Sequence, residues 1–207
     1  MGQNPLKPAR QEDLAQSSYH DWLDTVHLAY AAVKTCCRKV VLGGFSTGAG
    51  LVLHMVAGGV PAAGVVAVCP PMRLQDLSSR LVPAVDVWNR FMKMVHIDRA
   101  QMAFVDNHPE NPHINDHRNP IAGVRELDRL MDDLAPRLDA VTVPALVVQS
   151  HGDPVVNPAG SKKLFDQLGS ADKTYLLVNQ PRHGILLGDG ADRIYRAIND
   201  FIHRLHD

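Results

Sequence analysis

Three residues have the types and surroundings to do chemistry together: a serine, an aspartate and a histidine, each within two positions of a glycine and each following a short apolar run. Ser46 lies in Lys39 to Gly50, KVVLGGFSTGAG, at the centre of Gly44-Phe45-Ser46-Thr47-Gly48. This G-x-S-x-G pattern puts a nucleophilic serine on a sharp strand-to-helix turn with strained backbone angles. Gly44 and Gly48 remove the clashes that bulkier neighbours would cause there. The helix that follows turns its N-terminus toward a developing oxyanion, and the backbone N–H of Thr47 supplies one donor. Phosphate-cradling alternatives lack their spacing, since neither G-x-x-x-x-G-K-[ST] nor G-x-G-x-x-G occurs here.

A serine hydroxyl needs a base, and the base needs an orienting acid. When the serine comes first in such a chain, the acid and then the histidine follow, each just after a later strand. Asp153 fills the first slot, in Ser150-His151-Gly152-Asp153-Pro154-Val155-Val156, and His183 the second, in Gln180-Pro181-Arg182-His183-Gly184-Ile185. Alone, Asp153 reads as a turn aspartate and His183 as a solvated loop histidine. The ordered set of three is what carries the inference. His151 is the poorer base because it shares the acid's own turn.

These residues need a scaffold, and the hydropathy pattern describes one. From Tyr19, preceded by Ser18 as N-cap, Trp22, Val26, Ala29, Tyr30 and Val33 recur at helical spacing. Val40-Val41-Leu42, stopped by Gly43-Gly44, reads as a buried parallel strand, and Leu51 to Ala57 as a buried helix. Gly64 to Cys69, Val143 to Gln149 and Thr174 to Val178 continue as strands. Helices are expected over Ser161 to Leu168 and over Ala191 to Leu205, the latter striped by Ile194, Ile198, Phe201, Ile202 and Leu205. Strands alternating with helices make an α/β domain with a mostly parallel sheet. The stretch from Pro70 to Ala140 interrupts this with no clear strand. Leu81 to Val95 and Val124 to Leu134 look helical, and residues 71–140 are expected to form a helical lid over the sheet.

GFSTG, the HGDPVV turn, PRHGI and the helix bearing Tyr19-His20-Asp21-Trp22 together resemble the α/β-hydrolases, in the branch of bacterial carboxylesterases and monoacylglycerol-lipase-like enzymes. The resemblance runs from about Glu12 to Leu205. It implies Ser46 as nucleophile, Asp153 as acid and His183 as general base. Members of that family usually begin with several more strands and an upstream His-Gly loop that gives a second oxyanion donor. Nothing before Tyr19 reads as a strand, and no His-Gly pair precedes Ser46. The expected fold is thus a partial α/β-hydrolase, one domain over 1–207. The chain is a fragment, or its gene start is misplaced, or another segment completes the sheet. The strand Val40 to Leu42 should then lie on an open edge that invites a second copy of the chain, making a homo-oligomer.

Composition narrows the function classes. With 21 Lys+Arg against 22 Asp+Glu and a net charge of -1, no basic surface for nucleic acid or anionic membrane is expected. Apolar runs such as Val65 to Val68 and Leu146 to Val148 fall far short of the roughly 18 residues of a membrane span. Three cysteines, two of them the adjacent Cys36 and Cys37, suit a reducing, cytoplasmic setting. His108, His113 and His117 with Asp116 fit no common metal-site spacing, and neither a metal nor another cofactor is expected. The expected substrate is a small carboxylic ester with an apolar acyl group, given a lid rich in Leu, Val and Met, although Met92, Met94, Met102 and Met131 read as core filler before they read as a lipid groove. Thioester, peptide or acyl-transfer chemistry on the same triad, or a non-catalytic interaction module, are the alternatives.

Overall fold

The computed structural model describes residues 16–72, 104–106 and 118–205. The chain divides into two compact units, Tyr19–Asp76 with Leu127–Asp207, and Met1–Ser18 with Leu77–Glu126. The first unit is built on four strands, β1 (Val41–Phe45), β2 (Gly64–Val68), β5 (Ala145–Ser150) and β6 (Lys173–Val178). They pair in parallel in the order β1-β2-β5-β6. A parallel sheet is covered on both faces, which is why β2 and β5 are continuous apolar runs rather than alternating ones. Val65, Ala67, Ala145 and Val147 point into one core, with α1 (Tyr19–Lys34), α2 (Thr47–Ala57), the C-terminal half of α3 (Ile121–Leu134) and α4 (Pro158–Gln167). Val66, Val68, Leu146 and Val148 point into the other, under Ile194 and Phe201 of α5 (Ala191–Arg204).

Among the described residues the expected elements form, with shifts. β1 does not stop at Gly43-Gly44 but runs on to Phe45, because the ladder Gly43↔Val66, Gly44↔Ala67, Phe45↔Val68 uses backbone groups alone. On α1 the packed stripe is Tyr19, Trp22, Leu23, Val26 and Tyr30, while Ala29 and Val33 are exposed. α4 starts three residues before Ser161, since Asn157 caps it by accepting from Ala159 N at 2.9 Å and Pro158 takes the first helical position. The stretch expected to hold no strand does hold two, β3 (Phe104–Asp106) and β4 (Arg118–Pro120), paired antiparallel in the second unit. At three residues each they are too short for alternation to reveal. Val124 to Leu134 is helical, within α3. The expected helix over Leu81 to Val95, the group His108, His113, Asp116 and His117, and Met92, Met94 and Met102 lie outside the described residues.

Among the described residues β1 pairs on one side only, with β2, so it forms one edge of the four-stranded sheet. No helix of the described residues is long and apolar enough to cross a membrane.

Candidate active site

In a parallel sheet every strand ends on the same side, so the turns after β1, β5 and β6 are neighbours in space however far apart they are in sequence. The first of these turns carries Ser46. Its backbone sits at φ 53°, ψ −123°, a region non-glycine residues avoid, and α2 begins at the next residue. The turn is tight enough that a Cβ on Gly44 would stand 2.1 Å from Gly48 O and 2.6 Å from Ala49 N, so only glycine fits. Gly48 differs from expectation, because a Cβ there would meet nothing within 4 Å. The close approach is made by the Gly48 backbone, which any residue would carry. Thr47 opens α2, and amides of a first helical turn have no acceptor within the helix. Its N–H is thereby available to an oxyanion beside Ser46.

The turn after β5 presents Asp153, which is buried. Its Oδ1 accepts from the backbone N–H groups of Val155 at 2.8 Å and Val156 at 2.9 Å. Its Oδ2 accepts from His183 Nδ1 at 2.7 Å and from Gln149 Nε2 at 3.1 Å. Burial by itself pushes the carboxyl's pKa up. The His183 hydrogen bond and charge, helped by the Val156 and Val155 amides, outweigh it, and the net direction is down. Asp153 is therefore a carboxylate near neutrality and can only accept. Nδ1 of His183 must then carry the ring proton, leaving a lone pair on Nε2, where Ser46 Oγ donates at 2.9 Å.

His183 is held in place by its loop. Ile185 is buried and its N–H bonds His183 O at 2.8 Å. Arg182 Nη2 reaches Asp189 O at 2.9 Å, and the thiol of buried Cys69 lies 3.7 Å from His183 O. The acid turn is tied to the histidine loop as well: Ser150 Oγ donates to Gln180 O, and Gly152 N does so at 3.2 Å. A Cβ on Gly152 would lie 2.9 Å from Pro181 Cα, so this contact also needs glycine. The Phe45 ring packs beside the imidazole, centroids 4.8 Å apart. His151, the other candidate base, is exposed.

Ser46, Asp153 and His183 are thus brought together, with Thr47 and Gly44 in the positions expected of them. Gln149 was not anticipated. Gln149 had a signal: a lone amide closing the apolar run Ala145 to Val148 is a polar group in a core strand, and such groups need a partner. Cys69, Asp153 and His183 also offer potential metal-ligand atoms within 4.8 Å of one another, the one such cluster among the described residues. Both imidazole nitrogens are already engaged, by Asp153 and by Ser46, and what that arrangement can do is relay a proton.

The sequence pattern of the Hydrolase_4 family, described as serine aminopeptidase S33, matches residues 9–189. A thermostable monoacylglycerol lipase from a Bacillus species is 23% identical over 172 residues, 83% of this chain, and the chain spans 66% of that protein's length. A carboxylesterase of Bacillus subtilis is 20% identical over 195 residues, covering 94% of this chain and 76% of that one. A solved structure described under LipS and LipT, two metagenome-derived lipolytic enzymes, superposes with a TM-score of 0.78 at 18% identity, over 95% of this chain and 78% of that one. At that identity the superposition speaks for the fold. With the family pattern matched over most of its length and a parallel sheet to carry it, the chain belongs to the Hydrolase_4 family, serine aminopeptidase S33, and has the α/β-hydrolase fold.

Proposed function

We propose that the chain is a serine hydrolase that cleaves carboxylic esters through Ser46, His183 and Asp153. The observation that carries this reading is the unbroken relay from Ser46 Oγ to His183 Nε2 at 2.9 Å and from His183 Nδ1 to Asp153 Oδ2 at 2.7 Å, on a serine whose backbone is strained into a helix N-terminus. In the proposed reaction Ser46 Oγ attacks the ester carbonyl carbon while its proton passes to His183 Nε2. The oxyanion of the tetrahedral intermediate points at the Thr47 N–H. As the intermediate collapses, the imidazolium returns the proton to the leaving alcohol, and an acyl-Ser46 ester remains. Water, deprotonated by His183, then releases the acid.

An ester is favoured over other carbonyl substrates because the relatives compared above are named monoacylglycerol lipase and carboxylesterase. A small ester with an apolar acyl group, under a lid formed by residues 71–140, extends the same reading, as does a cytoplasmic setting for the free, exposed Cys36 and Cys37. The family's description as an aminopeptidase supports a second substrate class, an N-terminal peptide bond. Fluorophosphonate labelling of wild type and Ser46→Ala, followed by turnover of a short-chain aryl ester and of an aminoacyl anilide, tests the reading. Labelling confined to wild type, with the ester preferred, is expected. A preferred anilide would replace the substrate class. A chain that neither labels nor turns over ester would instead be a non-catalytic module.

A further inference from the structure

Gln149 is the fifth residue of β5, after four apolar ones, and its side chain is wholly buried. Nε2 donates to Asp153 Oδ2 at 3.1 Å and to the Ser150 carbonyl at 3.2 Å. Both partners can only accept, so the orientation of the amide is fixed. Oε1 is left buried without a hydrogen-bond partner among the described residues. A buried, unpaired carbonyl is destabilising, and an apolar side chain of the same length would avoid it. The chain thus carries a local cost whose one evident return is a donor on the oxygen that also receives the His183 proton.

We infer that Gln149 is a positioning residue for the triad, an inference that rests on the reading of Ser46, His183 and Asp153 given above. The backbone amides of Val155 and Val156 anchor Oδ1 of Asp153 and leave the other oxygen to side chains alone. Gln149 is the second anchor. It fixes where Oδ2 sits, and therefore the direction in which His183 presents Nε2 to Ser46. It also draws on the negative charge of Oδ2, which tempers the pull of that oxygen on the Nδ1 proton.

The test uses the full chain and the rate at which a fluorophosphonate probe reacts with Ser46, which reads the triad without a turnover substrate. Gln149→Met keeps the length of the side chain and removes both the donor and the unpaired oxygen. Gln149→Glu keeps the shape and sets a second carboxyl beside Asp153. Gln149→Met should label about tenfold more slowly, the worth of one charge-assisted hydrogen bond. Its labelling should also fall off at higher pH on the acid side, because an Oδ2 without its second donor holds the imidazolium more strongly. Gln149→Glu should label more slowly still near neutral pH. A side chain that only fills space would behave otherwise: Gln149→Met labelling within about twofold of wild type, or slowed with an unmoved pH profile, overturns the inference. Failure of the triad reading looks different, as a wild type that does not label or a Ser46→Ala variant that does. Labelled wild type and silent Ser46→Ala beside an indifferent Gln149→Met would remove Gln149 alone.

Discussion

Asp153→Asn exchanges one carboxylate oxygen for an NH2 at nearly constant shape, and the surroundings decide which oxygen is lost. Oδ1 faces the backbone N–H groups of Val155 at 2.8 Å and Val156 at 2.9 Å, which cannot reverse. Oδ2 faces His183 Nδ1 at 2.7 Å and Gln149 Nε2 at 3.1 Å. The imidazole can adapt by changing tautomer, and Gln149 Nε2, held by the Ser150 carbonyl, would lose one hydrogen bond. Turning the NH2 toward the fixed pair would forfeit two hydrogen bonds, about 0.5–1.5 kcal/mol each, and set donor against donor. The NH2 therefore goes to the Oδ2 side, where it donates to Nδ1. The imidazole then keeps its proton on Nε2 and aims that proton, instead of a lone pair, at Ser46 Oγ 2.9 Å away.

The base would be in place but in the wrong tautomer. Such a loss is of order ~10⁴-fold in turnover, or about 5.5 kcal/mol of transition-state stabilisation. The measurements are kcat on a short-chain aryl ester and the fluorophosphonate labelling rate, with circular dichroism to establish that the variant is folded. A folded Asp153→Asn protein that labels within about tenfold of wild type would refute this reasoning, because some other carboxylate would have to orient His183.

Gly44→Ala places a methyl 2.1 Å from Gly48 O, a backbone atom that can move only if the turn opens. It should cost more than about 3 kcal/mol and abolish labelling, and a thermal melt within a few degrees of wild type would count against the tight-turn account. Asp133 receives hydrogen bonds from His54 Nε2 at 2.8 Å, Arg137 Nη2 at 2.8 Å and Tyr19 OH at 3.4 Å, and the His54 bond is the main cause of its lowered pKa, ahead of opposing burial and the Arg137 charge. A depressed folded-state pKa stabilises above the ordinary value of 3.8 and is lost as pH falls through the folded-state value, so the stability gap between wild type and Asp133→Asn in urea should shrink from about pH 7 to about pH 2.5; a gap that does not change with pH would exclude this linkage. The side of β1 that is unpaired among the described residues should pair with a second copy of the chain, and light scattering should show mass rising with concentration, whereas a monomer at every concentration would sink that expectation.

How much of this was legible in the sequence depends on the range over which each physical cause acts. β2 and β5 are buried on both faces, so their apolar runs announce them. Gly44 and Ser46 could be read because the strained turn is a local demand, satisfied by residues within the same pentapeptide. Asp153 and His183 could be paired with Ser46 across 107 and 137 positions only because a parallel sheet brings its strand ends to one side. β3 and β4 had no comparable signal, since at three residues each their pairing is the only thing that defines them.

Gly48 and Gln149 mark the boundary from opposite sides. Gly48 has the type the motif demands, yet space surrounds the Cβ it lacks, so its identity overstated a steric need. Gln149 has a type no motif demands, and its burial looks like an error in a core strand until Asp153 is seen beneath it. A motif records which residues recur around a reaction. Which of them are under force is set by contacts between segments far apart in the chain: the Gly48 backbone against Gly44, Pro181 against Gly152, the Gln149 amide against the acid. The arrangement at this site is therefore readable from spacing down to the three residues of the proposed triad. The shell around them has to be read from distances, and a side chain that leaves one buried atom unpaired among the described residues while bonding Asp153 Oδ2 is the place to begin.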